Sequence, residues 1–178
     1  MFYYTEYLSP VGLLTLVSTG EAITGLWIAG QKYYFSTVTE TPVREDRLAV
    51  FTRAREWLSH YFAGEQPSPS TLPLDPAGSP FRKAVWEQLC EIPYGSVTTY
   101  GAIAQKLAFS PNTAPVKNRG AMSAQAVGGA VAHNPISIII PCHRVIGADG
   151  SLTGYAGGLD KKCLLLTLEG VDQSILKL

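Results

Sequence analysis

The stretch Ser79–Leu107 reads SPFRKAVWEQLCEIPYGSVTTYGAIAQKL, and its reading decides the character of the C-terminal half. Ser79-Pro80 is a good helix start, because a serine oxygen can accept from an early amide and proline needs no partner at the first turn. Phe81, Val85, Trp86 and Leu89 then recur at helical spacing and form one apolar stripe up to Cys90. Pro93-Tyr94-Gly95 breaks that helix. Thr99 can cap a second helix over Tyr100–Leu107, and an Ala-rich run with Met122, Val127 and Val131 predicts a third over Arg119–Val131. Helix, short turn, helix is the outline of a helix-turn-helix, and equally of any small helical domain.

Upstream the character changes. GEQPSPSTLPLDPAGSP holds five prolines within Gly64–Pro80; it cannot continue a helix and reads as a connector over residues 65–80. Before it, Leu13–Ser18 and Ala22–Ile28 are strand-like runs joined through Thr19-Gly20-Glu21, a hairpin signal. From about Glu45 to Phe62 the residues Leu48, Phe51, Ala54, Trp57, Leu58 and Tyr61 follow steps of three and four, the pattern of an amphipathic helix ended by Gly64. The fold expected is α+β: a small N-terminal α/β domain over 1–64, then a mostly helical C-terminal domain over 81–178.

Downstream, Ile138-Ile139-Ile140-Pro141 is a β-branched apolar run stopped by proline, a short buried segment that delivers Cys142 to a fixed place. Gly147, Gly150, Gly154, Gly157 and Gly158 mark a loop-rich stretch. Leu159–Leu168 is then expected as a closing helix with Leu164, Leu165 and Leu168 inward.

Composition excludes several classes. Apolar residues are 46% of the chain and charged residues 16%, as in a globular protein with a sizeable core. No apolar run approaches the ~20 residues of a membrane span, and the start, MFYYTEYLSP, lacks the basic and apolar regions of a signal peptide. A cytoplasmic chain without membrane contact is expected. Cys90, Cys142 and Cys163 are an odd number without paired spacing, and His60, His133 and His143 do not complement them as zinc ligands. No metal and no cofactor are expected. Net charge is zero, but residues through Gly78 carry five bases against eight acids, and those from Ser79 onward nine against six. A nucleic acid partner would therefore meet the C-terminal half.

Pro141-Cys142-His143-Arg144-Val145 carries the chemistry. A cysteine beside a histidine fits a reactive pair, and fits a buried apolar thiol next to a hydrogen-bonded histidine as well. Consecutive strand residues point to opposite faces, so Cys142 and His143 can share a site only if the chain bends there or a water bridges them.

NPISIIIPCHRVIG, Asn134–Gly147, resembles the active-site signature of the O6-alkylguanine-DNA alkyltransferases. Val85–Ala104 is similar to that family's helix and turn before its helix-turn-helix, and Gly150–Gly170 to its binding loop and closing helix. The resemblance spans about a hundred residues in order. It implies a ribonuclease H-like N-terminal domain and a C-terminal domain carrying the helix-turn-helix and the reactive cysteine. It also implies a single-turnover repair reaction, in which a methyl or larger alkyl group moves from guanine O6 in duplex DNA to Cys142; whether O4-alkylthymine is a second substrate it leaves open. His143 would take the thiol proton through a water, with Glu169 holding the imidazolium. Asn134 would organise the turn that presents Cys142, and Tyr100 would turn the 3′ phosphate and donate toward guanine N3. Thr99, Arg144, Val145, Tyr155, Ala156 and Gly157 would contact base or DNA. Many relatives have serine where Ala156 stands, which leaves the backbone amide for O6. Each of these has a plainer reading: Tyr100 as a core tyrosine, Asn134 as a turn former, Glu169 as a solvated helix-end charge.

The chain departs from the family at one place. Relatives insert an arginine into the gap left by the flipped base, and Gln125 stands at that position, just before Ala126-Val127-Gly128-Gly129-Ala130. FSPNTAPVKNRG, Phe109–Gly120, is inserted before the expected recognition helix. Either Gln125 fills the gap or Lys117 or Arg119 reaches in. The partner expected is double-stranded DNA containing O6-alkylguanine, met by a monomer with no obligate protein partner. Two other classes fit parts of the sequence. A cysteine hydrolase would turn over many times, and a lesion sensor would bind without reacting; the presence of Cys142 counts against the second.

Overall fold

Strand formation begins earlier than the hydrophobic pattern indicates. The computed structural model, which describes residues 1–109 and 123–177, shows a strand β1 over Tyr3–Ser9 ahead of β2 (Gly12–Ser18) and β3 (Ile23–Ile28). Sequence reading missed β1 because YYTEYLS is half-exposed, with Thr5 its one buried residue, so it lacks a continuous apolar run. The three strands are antiparallel neighbours, and a two-residue strand β4, Val43–Arg44, adds in parallel to β1, giving the order β3-β2-β1-β4. Helix α1, Ala49–Phe62, starts four residues later than the periodicity suggested and lies against β1, β2 and β3. It buries Val50, Phe51, Ala54, Trp57, Leu58 and Tyr61.

The sheet is buried on both faces at its β3 end. Leu14, Leu16, Leu26 and Ile28 are fully buried on one face by strand alternation. On the other, Trp27 meets Tyr34 and Phe35, with ring centroids 6.0 and 5.4 Å away. Gly25 makes room for this ring: a Cβ there would lie 2.1 Å from Trp27. An uncovered edge strand invites pairing with other chains, and β3 is covered by two short backbone pieces. Ile23 bonds to the Pro73–Asp75 segment, and Leu26 donates to Pro135 O (2.8 Å) and accepts from Ser137 N (2.9 Å). Gln31 secures the second piece, its Oε1 accepting from Ile28 N and from the Ser137 hydroxyl.

By its contacts the chain divides into two units, residues 1–77 with 135–139, and residues 78–134 with 140–178. The second unit is built on helices α2 (Pro80–Cys90), α3 (Tyr100–Phe109) and α4 (Ala124–Ala132), each in contact with the other two. Ser79 caps α2 through Arg82 N, Thr99 accepts from Ala102 N at the start of α3, and Ser123 caps α4 through Ala126 N. Trp86 anchors the three, donating its ring N–H to Ala130 O at 2.9 Å. Two short parallel strands, β5 (Thr98–Thr99) and β6 (Val145–Ile146), tie the start of α3 to the residues after Cys142. Helix α5, Leu159–Leu168, closes the unit. Its inner face is Lys162, Leu165 and Leu166, whereas Leu164, expected inward, is 46% exposed. The expected third helix is described from Ala124 onward.

Candidate active site

The site begins with a backbone that bends where the sequence left the question open. Pro141 ends the apolar run, and Cys142–Arg144 forms one turn of 3₁₀-helix leading into β6. Cys142 N bonds to Ile140 O, two residues back, and Ile139 N to Ser137 O in the same way. Such tight turns, back to back over 137–139 and 140–142, put consecutive side chains where a strand could not. Ile138 has φ 71°, the left-handed region that a β-branched residue rarely adopts. Asn134 Nδ2 donates to Ile140 O at 2.8 Å, across the segment that leads to Cys142.

Around that turn lies a cluster of buried charge. His143 Nε2 is 2.6 Å from Glu169 Oε1, with both side chains fully buried. Glu169 also takes Arg144, Nε to Oε2 at 2.8 Å and NH2 to Oε1 at 3.0 Å, and the Gly95 amide at 3.2 Å. Burial alone would raise the Glu169 carboxyl; hydrogen bonds and charge from His143 and Arg144 outweigh it and hold it at about 2. Glu169 is therefore an anion at the C-cap of α5, not the solvated charge of the plainer reading. Arg144, expected at the DNA or base, instead spends its guanidinium on Glu169 and on Ile92 O at 2.6 Å, and its charge sits 5.8 Å over the Tyr94 ring.

A carboxylate shared with arginine is a weaker partner for imidazolium than a dedicated one. Burial pushes His143 below the ordinary histidine range against the pull of Glu169, and the charges of Arg144 and Lys162 push the same way. Neutral His143 then donates Nε2–H to Glu169 and leaves Nδ1 as its basic nitrogen. Burial likewise pushes the Cys142 thiol up, while the Asn134 hydrogen bond, the Lys162 charge and the Tyr155 hydrogen bond oppose it. Cys90, half-buried, is pushed up to about 11 by burial, as suits a passive thiol.

Tyr100 opens α3 and accepts at its hydroxyl from Thr153 (3.2 Å); burial keeps its proton more firmly held than usual. Thr99, before it, is half-buried, and Tyr155, Ala156 and Gly157 form a half-exposed loop ahead of α5. Val145 is fully buried, and its carbonyl accepts from Lys162. Gln125 stands exposed on the first turn of α4. Lys117 and Arg119 lie outside the described residues. Among the described residues no group of three or more His, Cys, Asp or Glu side chains could hold a metal ion.

Sequence reading missed Lys162, whose side chain is fully buried beside this cluster. The signal was present: Lys162, Leu165, Leu166 and Glu169 recur at three and four along α5, which places the lysine inward.

Both halves of the chain match known proteins. The 6-O-methylguanine DNA methyltransferase ribonuclease-like domain matches residues 2–76, and the DNA binding domain of the same family matches residues 80–171. The chain is 42% identical to the methylated-DNA--protein-cysteine methyltransferase of Haemophilus influenzae, over 95% of this chain and 87% of the relative. It is 46% identical to that of Mycolicibacterium paratuberculosis, over 95% and 93%. A crystal structure of Mycobacterium tuberculosis OGT in complex with DNA superposes with TM-score 0.76 at 39% identity, covering 98% of this chain and 94% of that one. The chain belongs to the 6-O-methylguanine DNA methyltransferase family, with the ribonuclease-like and DNA-binding halves that the resemblance implied.

Proposed function

We propose that this protein repairs DNA by direct reversal, moving the alkyl group of O6-alkylguanine onto Cys142 once per molecule. The observation that carries the reading is the turn at Cys142–Arg144, where a buried thiol sits next to a histidine oriented at 2.6 Å by a buried carboxylate. The thiol gives its proton to His143 Nδ1, through a water where the two do not meet directly. The thiolate sulfur attacks the alkyl carbon, the carbon–O6 bond breaks, and its electrons go to the purine, which leaves as guanine and takes up a proton. Tyr100, holding its proton firmly, is suited to donate toward N3 as the base accumulates charge. Asn134 supports the turn, and Val145, Tyr155, Ala156 and Gly157 border the place a base would occupy.

The alkylated base must leave the stack to reach a buried sulfur, at a cost of a few kcal/mol. Helix α4 suits entry into the groove: it is capped by Ser123, begins Ala-Gln-Ala, and presents Gln125. Thr99 lies at the start of α3 for a phosphate contact. The protein works as a monomer on duplex DNA, in the cytoplasm. No described helix is long and apolar enough to cross a membrane.

After transfer Cys142 carries a thioether. Its carbon has no carbonyl to activate it, so water has no easy route to free the sulfur, unlike the thioester of a hydrolase. Incubation with excess O6-methylguanine duplex, followed by mass spectrometry, tests this reading. One peptide, that of Cys142, should gain about 14 Da, methyl replacing hydrogen, and repaired base should level off near one per protein. Steady turnover would point to the hydrolase class, and binding without modification to a sensor.

A further inference from the structure

Lys162 is a cation in an unusual setting. Its side chain is fully buried, yet among the described residues no carboxylate pairs with it. Burying an ammonium ion costs several kcal/mol unless it is well bonded and compensated. Lys162 is well bonded: Nζ donates to Val145 O at 2.6 Å, Leu152 O at 2.5 Å and Thr153 O at 3.3 Å. These three acceptors use the three N–H bonds of an ammonium. They solvate the charge without cancelling it.

The charges around the cysteine turn show where the missing anion belongs. Arg144 and Glu169 neutralise each other through two hydrogen bonds, and His143 is neutral with its Nε2–H on that same carboxylate. Asp160 on α5 is exposed and lies 3.6 Å from Lys161. Tyr100 and Tyr155 carry no charge. Lys162 Nζ is bonded to Val145 O, three residues beyond Cys142 and on the same turn of chain, and the charges of Lys162 and of a Cys142 thiolate each steady the other. We propose that Lys162 is the built-in counter-cation of the Cys142 thiolate, held by carbonyls instead of a carboxylate so that its charge remains unspent until the sulfur ionises.

This rests on Cys142 as the acceptor and adds a positioning residue to it. Of the two products of the proton transfer, the Lys162 charge supports the thiolate and weakens the imidazolium on His143, so its gain is at the sulfur. Its bonds also join the two stretches that flank the site, since Val145 follows the cysteine turn while Leu152 and Thr153 lead into the Tyr155–Gly157 loop. Burial lowers the lysine to about 8, so its charge is intact at neutral pH. The sign follows directly: the thiolate is favoured while Lys162 is protonated and loses that support as pH rises past the lysine's own titration.

The test uses the full chain with Lys162→Met and Lys162→Gln, each checked for native circular dichroism. Ultraviolet thiolate absorbance is titrated, and the Cys142→Ala protein is subtracted to remove Cys90 and Cys163. The Cys142 thiolate should appear at least about one pH unit higher in the variants, and transfer from free O6-benzylguanine at pH 7 should slow about tenfold or more. An unchanged thiolate titration in a folded variant overturns the proposal, because a lysine that only braced the loop would leave it unmoved. If neither variant folds, NMR titration of the Lys162 ε-carbon in the wild-type chain decides. The lysine should lose its proton at lower pH after S-methylation, and identical titrations before and after overturn the proposal. Mass spectrometry of the wild type keeps the two readings apart: a group landing away from Cys142 defeats the acceptor assignment, not the lysine–thiol coupling.

Discussion

The two units bury polar groups for opposite purposes. Around the sheet of the first, the buried polar side chains are neutral: Thr5, Thr15, Ser18, Thr24, Gln31 and Ser137. Most of these complete a backbone or hydroxyl hydrogen bond that the strands or turns leave open, as Gln31 does for Ile28 N and Ser18 for Ala22 O. In the second, four buried side chains besides Cys142 itself are ionisable among the polar ones, His143, Arg144, Lys162 and Glu169, and all lie in Cys142–Glu169. Neutral groups bonded to the backbone cost little to bury and add order; charges cost much and survive only in a network. The first unit is organised for stability, and the second spends stability on a reactive thiol.

Replacing Cys142 with Ala probes that contrast most strongly. Transfer should fall to nothing in a single-turnover assay, while DNA binding and folding stay close to wild type; residual transfer to another residue would break the assignment. Next in size is Glu169→Gln, which leaves Arg144 buried without its anion and His143 without its orienter. A loss of about 3–5 kcal/mol is expected, read by urea unfolding. The pH dependence follows from the same pair: the Glu169 carboxyl, held at about 2, lies below its ordinary 4.5. The stabilisation it supplies is complete above about 4.5 and drains away as pH falls toward 2, so acid unfolding of the wild type should be steeper across that window than of the Gln variant.

Leu58→Ala in α1 should cost about 2–5 kcal/mol by opening a cavity, a loss similar in size. It differs in kind: transfer rate per folded molecule should stay as in the wild type, and a slower reaction in fully folded protein would show that the contrast is drawn too sharply. Ser79→Ala removes the cap of α2 and should cost only about 1 kcal/mol. A null effect on the thiolate titration of Cys142 would place this helix end on the structural side.

The distance between what the sequence carries and what the fold adds is clearest along α5. Periodicity predicts the helix, yet apolar character as the marker of the buried face turns Leu164 inward and passes over Lys162. Here the buried face includes a lysine and ends on a glutamate, and that inversion marks the site. Strand β1 escaped for the reverse reason: an edge-side strand with polar, half-exposed residues carries little alternation.

Local chemistry by itself determined the α2 and α3 caps, the α1 stripe, the hairpin of β2 and β3, and the order of motifs from Val85 to Gly170 that marks the family. These depend on neighbours within a few residues, where caps, turns and periodicity act. Tertiary structure alone decided that the chain turns at Cys142 instead of running straight, that Ile138 is held in a strained conformation, and that Arg144 faces Glu169. It also decided that a carboxylate 26 residues from His143 and a lysine 20 residues from Cys142 share their surroundings. Buried charges find each other across such separations because desolvation makes every unpaired one costly, and no local rule records which partner the fold will bring.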